Sequence, residues 1–391
     1  MDYFKQRASN IEPLEEFTKI KNNEKLRVKL GIDPTASDVT LGWYAILRML
    51  RKFQEEGHTA VLILGEFTAQ IGDPSGKSDT RNRIRSKDVS KYSGNVLSII
   101  KKILHKENLE IVSNKDWLKS LSVNEMLELA SSTTLAQMME REDFSTRYSN
   151  KSPISLIEFF YPLFQGYDSV AVKADIEIGG SDQLWNLMIG REIQKFYNMK
   201  PQIAMTFPLL IGTDGKKKMS QSFNNYISIT ESPSDIFGKL MSIPDNAMWE
   251  YFILLTNFTI KEIEEFKTSV DSNEVNPFDL KKKLGTAIIE EIYSKADALK
   301  AINDFVDVTI DKNIPEDLQV IAIPDLTDLY LPKLFVENNI TSSTSDARRL
   351  INSGSVKING EQINNLDIKC ENIANTILQV GKRRFYKIKI I

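Results

Sequence analysis

Two apolar runs joined through a turn and a helical pattern constrain this chain most. Residues 26–33 (LRVKLGID) alternate as a strand does, and residues 59–67 (TAVLILGEF) form the continuous apolar run of a strand buried on both faces. Between them stands GIDPTASDVTLGW, residues 31–43, after which Trp43, Ile46, Leu47, Leu50 and Phe53 recur at helical spacing, with Gly57 placed as a C-cap. Strand, helix and strand in that order predict a right-handed crossover and hence a parallel, doubly wound α/β sheet. Ligands of such sheets bind beyond the carboxyl ends of the strands, which puts Asp33, Thr35 and the loop after Phe67 on the ligand side.

A chain of 391 residues is long enough for two or three cores. Its 53 acidic and 50 basic residues nearly cancel, which excludes a uniformly basic nucleic-acid binder, so any RNA contact has to be local. One cysteine, Cys370, excludes an intramolecular disulfide, and with only two histidines it argues against a zinc site. No apolar run is long enough to span a bilayer and MDYFKQRASN has no signal-peptide core, so a cytoplasmic protein is expected.

Further along, residues 86–135 read as insertion helices, residues 154–172 as a buried helix, ADIEIGG as a short strand and residues 182–196 as a second helix. FPLLIG, after Met205, reads as a buried strand, TDGKKKMSQSFNN as a polar loop, and the chain beyond Ser232 as helical. The proline- and acid-containing stretch 311–328 is the best linker candidate. The last 51 residues hold nine Lys/Arg against four Asp/Glu, a basic module on an acidic body, which suits contact with a polyanion.

Taken singly, the polar motifs have ordinary readings. GDPSGK suits a type I turn, GGSDQ a capped strand-to-helix junction and KKKMSQS a solvated loop. In combination and in order, GIDPTA, GDPSGKS, YPLFQGYDS, IGGSDQLWNLMIGRE and KKMSQS resemble the class I aminoacyl-tRNA synthetases, and among them the bacterial tyrosyl-tRNA synthetase family. The resemblance covers nearly the whole chain, and SDARRLINSGSVKING resembles the small terminal RNA-binding module of that family.

The resemblance implies a Rossmann-like catalytic domain with a helical insertion (1–226), a helical anticodon-binding-type domain (227–325), and a linker with a small α+β RNA-binding module (326–391). It implies that Asp73, Tyr161 and Gln165 hold the α-ammonium of tyrosine, and that Asp168 receives its phenol hydroxyl. A buried carboxylate that needs that hydroxyl rejects phenylalanine, the tyrosine enzymes being the standard example. Gln183 would contact the tyrosine carboxylate, while Lys29 and Thr68 would line the pocket floor. Gly31, Asp33, Thr35, Gly42, Gly180, Asp182, Met219 and Ser220 would contact ATP, supplied with Mg²⁺, and Arg348, Arg349 and Lys357 would contact RNA. No resident metal or tightly bound cofactor, no DNA and no membrane are expected; the partners implied are tyrosine, tRNA and a second copy of the chain.

The catalytic set departs from the family's pattern. Where the family carries His-x-Gly-His and Lys-Met-Ser-Lys-Ser, this chain reads Thr40-Leu41-Gly42-Trp43 and Lys218-Met219-Ser220-Gln221-Ser222. Adenylation depends on positioning and on stabilising developing phosphate charge, and one lost donor typically costs roughly 100- to 1,000-fold in rate. Two readings follow from the sequence: a tyrosine–tRNA ligase, and a diverged paralogue that keeps tyrosine or RNA binding with weak adenylation. In either, Trp43 lies in the nucleotide site or turns into the core with the apolar stripe.

Overall fold

The computed structural model describes residues 1–21, 24–75, 84–309, 318–323, 328–358, 361–363, 365–369, 376–381 and 384–390. They form two compact units, 1–295 and 296–391. The first is built on a six-stranded sheet of β1 (Asn10–Glu12), β2 (Arg27–Ile32), β3 (Thr59–Leu64), β4 (Leu109–Ser113), β5 (Ile176–Gly180) and β6 (Ile203–Phe207), in the order β1-β6-β5-β2-β3-β4. All pairings are parallel except that of the edge strand β1 with β6. The expected doubly wound α/β class is therefore observed. Every residue of β3 is buried, as its unbroken apolar run requires.

The crossover between β2 and β3 is the helix Leu41–Glu55, capped at its N-terminus by the Thr40 hydroxyl, which accepts from the Trp43 amide at 3.4 Å. Gly57 follows its end at φ +92°, the left-handed conformation that a helix-terminating glycine adopts without strain. Leu47, Leu50 and Phe53 are fully buried. Arg48 is too, a charge inside an apolar stripe, and it is satisfied on every side: Nε to Glu291 at 2.7 Å, Nη1 to the Tyr3 hydroxyl at 2.6 Å and Nη2 to Asn257 at 2.6 Å.

Three expectations are corrected. Within the segment read as insertion helices, residues 109–113 form β4, because β3 offers them a parallel edge and their helical pattern stops at Ile103. The strand read as FPLLIG ends at Phe207 and begins earlier, at Ile203, since Pro208 has no amide to continue a ladder. In the linker candidate, Gln319–Ile323 form β7 and pair in parallel with β13 (Arg384–Ile390); residues 310–317 and 324–327 lie outside the described residues.

The chain beyond Ser232 is helical as expected: Pro233–Leu240, Met248–Leu255, Ile260–Asp271, Pro277–Ile292 and Lys295–Thr309. Ser232 and Asn276 cap helices whose first residue is proline, where a missing amide costs nothing. In the second unit, β9 (Val356–Ile358), β10 (Glu361–Gln362), β12 (Ile377–Val380), β13 and β7 make one sheet, and β8 (Asp328–Tyr330) pairs with β11 (Asp367–Lys369). The helices Leu331–Glu337 and Thr344–Asn352 complete its core through Leu334, Phe335, Ala347 and Ile351.

Glu291 is the carboxylate that compensates Arg48, and it also pairs with Arg51. Glu291→Ala is expected to destabilise the first unit by roughly 3 to 5 kcal/mol, the usual cost of stranding a buried charge. Chemical denaturation followed by tryptophan fluorescence measures it; a loss within ~0.5 kcal/mol, the range of an ordinary surface substitution, refutes the role.

Candidate active site

In the first sheet, connections run one way from β2 through β3 to β4 and the other way to β5 and β6, so the strand order reverses between β2 and β5. A cavity of about 470 Å³ opens there, beyond the carboxyl ends of the strands, where the sequence placed it. Its walls include every residue expected to bind the amino acid or the nucleotide except Lys29.

At its amino-acid end, Asp168 is buried on the helix Phe160–Ala171. Trp117 Nε1 donates to its Oδ1 at 2.8 Å and Asn114 Nδ2 to its Oδ2 at 3.2 Å. Burial raises the Asp168 pKa to about 7; the Lys29 charge, then the Trp117 and Asn114 hydrogen bonds, work in the opposite sense, and Glu177 adds to the rise. A carboxylate so placed switches charge near neutrality and accepts a hydroxyl group strongly. Asn114 also ties the floor together: its Oδ1 accepts from the Phe67 amide at 2.9 Å and its Nδ2 donates to Thr68 Oγ1 at 3.0 Å. Thr68 in turn donates to Asp33 at 2.7 Å, beneath Gly65, where a Cβ would come within 2.0 Å of Asp33 Oδ1.

Asp73, Tyr161 and Gln165 converge on the same end. Tyr161 donates to Asp33 Oδ2 at 3.0 Å, and Gln165 Nε2 donates to Glu177 Oε1 at 3.1 Å. That orientation directs the Gln165 Oε1 away, buried and without a protein partner. A buried acceptor left over beside a carboxylate is what a cationic amine would satisfy. Gln183 reaches Asp73 Oδ2 through its Nε2 at 2.8 Å. Lys29 lies behind the wall rather than on the floor. Fully buried, its Nζ contacts the Gln165 main-chain carbonyl and Ser169 Oγ, each at 2.7 Å, and Glu177 at 3.0 Å.

At the other end, Thr40, Gly42 and Trp43 present the N-terminus of the helix Leu41–Glu55 to the cavity. Trp43 and Ile46 are half-buried and line it, so the apolar stripe read from the sequence divides: its later residues fill the core and its first two face the site. Met219 lies over Gly42. Lys218 pairs with Asp182 at 2.6 Å, and Gln221 Nε2 donates to the Asp38 carbonyl at 2.9 Å, fastening the polar loop to the turn after β2. The Asp38 carboxylate accepts from Ser228 at 2.7 Å and Thr230 at 3.1 Å on the loop's far side. Lys216 and Lys217 are exposed and do not line the cavity, Lys217 lying 4.9 Å from the Phe223 ring. Among the described residues, five carboxylates (Asp33, Asp73, Asp168, Glu177 and Asp182) thus face one lining lysine, Lys218.

Sequence reasoning missed Asn114, Trp117, Glu177 and Arg141. The signal for the first two was β4: once it is a strand, the residues after it fall at a carboxyl end like those after β2 and β3. In the second unit, Arg348 and Arg349 ride on the helix Thr344–Asn352 and Lys357 on β9. Arg348 donates to the Tyr330 hydroxyl at 2.7 Å, while Arg349 is 80% exposed and pairs only with Asp346 among the described residues.

Comparison with known proteins gives the family and the fold. The family model of class I tRNA synthetases (W and Y) matches residues 21–307, and that of the tyrosine–tRNA ligase SYY-like C-terminal domain matches residues 311–388. The chain is 44% identical to the tyrosine–tRNA ligase of Mannheimia succiniciproducens, over 95% of this chain and 93% of that one. It is 42% identical to that of Carboxydothermus hydrogenoformans and to tyrosine–tRNA ligase 2 of Vibrio cholerae, each over 99% of this chain and 97% of the other. Solved structures share the fold: a truncated mitochondrial tyrosyl-tRNA synthetase of Coccidioides posadasii has a TM-score of 0.63 at 20% identity over 78% of this chain and 90% of its own. The tyrosyl-tRNA synthetase of Archaeoglobus fulgidus complexed with L-tyrosine has a TM-score of 0.60 at 19% identity, over 76% and 96%. By family models that together span nearly its whole length and by relatives more than two-fifths identical to it, the chain belongs to the tyrosine–tRNA ligase family of class I tRNA synthetases.

Proposed function

We propose that the chain activates tyrosine with ATP to tyrosyl-adenylate and transfers it to tRNA. The observation that carries this is the buried Asp168, held by Trp117 and Asn114 in a cavity that Asp73 and Gln165, with its unsatisfied oxygen, also line. An acceptor for a phenol hydroxyl and acceptors for an ammonium in one cavity suit tyrosine. The glycine-lined turn and helix N-terminus at the other end suit a nucleotide, with Gly31, Asp33, Thr35, Gly42, Gly180, Asp182, Met219 and Ser220 as its wall. Because the lining is rich in carboxylates, the triphosphate enters as its Mg²⁺ complex, which cancels part of its charge. Thr40, Trp43, Lys218 and Gln221 occupy the catalytic positions, and Arg348, Arg349 and Lys357 face RNA from the basic module. The functional division is a catalytic domain 1–226, a helical domain 227–325 and a terminal module 326–391, working in the cytoplasm.

Tyrosine-dependent pyrophosphate exchange tests the activity. Exchange above background in the natural protein is expected. Exchange seen only after Thr40→His, Trp43→His and Gln221→Lys are combined would instead identify a paralogue that binds without activating.

A homodimer belongs to the same reading. Leu156 is 80% exposed, and Val123, Leu127 and Leu135 also stand out in solvent on neighbouring parts of the insertion. Leu156 borders a second, apolar cavity with Met126, Ile157 and Phe160, a surface suited to a second copy of the chain. Leu156→Asp is expected to give monomers in analytical ultracentrifugation; an unchanged sedimentation coefficient would place the interface elsewhere.

Asp168 also fixes a pH dependence. Phenylalanine leaves its carboxylate without a hydroxyl, so phenylalanine binding takes up a proton, whereas tyrosine binds the ionised form. Below about pH 7 that proton is already present. Above it, phenylalanine binding weakens about tenfold per pH unit, so the preference for tyrosine is expected to rise by on the order of tenfold between about pH 7 and pH 8. Calorimetry with both amino acids measures it, and a preference independent of pH removes Asp168 from the role.

A further inference from the structure

Asp73 is served by two hydrogen-bond relays that begin on one residue. Arg141, immediately before the helix Glu142–Ser149, is buried, and its Nη2 donates to Ser75 Oγ at 2.9 Å. Ser75 Oγ donates in turn to Asp73 Oδ1 at 2.6 Å. Its Nη1 donates to Asn186 Oδ1 at 2.9 Å, Asn186 Nδ2 donates to Gln183 Oε1 at 2.9 Å, and Gln183 Nε2 donates to Asp73 Oδ2 at 2.8 Å.

A guanidinium only donates, so each link has one possible sense. The Ser75 oxygen must accept from Arg141, which sends its proton to Asp73. The Asn186 carbonyl must face Arg141, which sends its NH₂ to Gln183, and the Gln183 NH₂ is thereby turned toward Asp73. Were either amide reversed, two acceptors or two donors would meet in a buried site. Asp143 receives the remaining guanidinium edge, Nε to Oδ1 at 2.7 Å and Nη2 to Oδ2 at 3.0 Å, so the charge of Arg141 is balanced locally. Its Nη2 also stands 3.7 Å from Asp73 Oδ1, an ion-pair contact, and the hydrogen bonds to Asp73 come through Ser75 and Gln183. The Phe144 and Trp185 rings, 5.0 and 5.6 Å from the guanidinium, hold its plane.

We propose that Arg141 is a positioning residue for the substrate's ammonium: it fixes the direction of both relays and thereby the rotamer of Asp73. It touches no substrate itself. The inference rests on the reading of Asp73 as the ammonium acceptor and goes beyond it by naming what orients that acceptor.

Tyramine and 4-ethylphenol differ only in the ammonium, so the ratio of their affinities for the full chain reads this part of the site alone. In Arg141→Met, and in Arg141→Lys, which keeps the charge but cannot span Ser75, Asn186 and Asp143 together, the preference for tyramine is expected to fall at least about tenfold. The affinity for 4-ethylphenol should stay within about twofold, since nothing at Asp168 has changed. A preference that survives in both variants overturns the proposal, whether the two affinities hold or fall together, because equal loss means only a loosened pocket. If the natural protein takes both ligands alike, the ammonium site itself is refuted and the role of Arg141 with it.

Discussion

The buried ion pair between Lys29 and Glu177 is what the site depends on. The two residues are register partners on β2 and β5, the two strands between which the sheet's connections reverse direction. Both side chains are essentially without solvent, so neither charge tolerates the loss of the other, and the pairing of these strands is fixed to the residue. Lys29 extends the constraint to the helix above by holding the Gln165 carbonyl and Ser169, one turn that carries Gln165 and leads to Asp168. Glu177 orients the Gln165 amide from below, and Gln202 donates to the same carboxylate. Strand register, helix position and the direction of a substrate-facing amide are therefore set by one pair of charges.

From that anchor the cavity grades in character. Its amino-acid end is a closed network in which carboxylates are oriented by neutral donors: Trp117 and Asn114 for Asp168, Ser75 and Gln183 for Asp73, Thr68 and Tyr161 for Asp33. Such networks are rigid because each member has only one satisfactory orientation. The nucleotide end is built differently. Its loop is held to itself through Asn225, which bonds Asp214, Ser220 and the Lys217 and Lys218 carbonyls, and to the rest of the site through Gln221 and Lys218, and its helix terminus is walled by an indole. Recognition of the amino acid is preorganised; at the nucleotide end, among the described residues, Lys218 is the lining lysine.

The parts legible in the sequence were those whose signal is local. The first crossover was readable because continuous apolar runs and a helical stripe differ in period, and the site's location followed from the strand ends. Asp168 was readable as a carboxylate set among apolar residues. Asn114 and Trp117 were not, because β4 is a short edge strand with no fully buried residue, and its identity is decided by the partner it pairs with. β7 was hidden in the same way within an acidic, proline-containing stretch, since its place depends on β13, more than sixty residues later.

By itself, then, the sequence determined the class of fold, the strand ends that carry the site, and the family, through ordered blocks that need no contact map to be recognised. Tertiary structure decided which way the ambiguous groups face. Trp43 and Leu47 belong to one helical stripe, yet one lines the cavity and the other fills the core, because the sheet covers only part of the helix. Arg141, which belongs to none of the motifs that the sequence offered, becomes the origin of two relays, since hydrogen-bond direction is a property of the closed network and of no single residue.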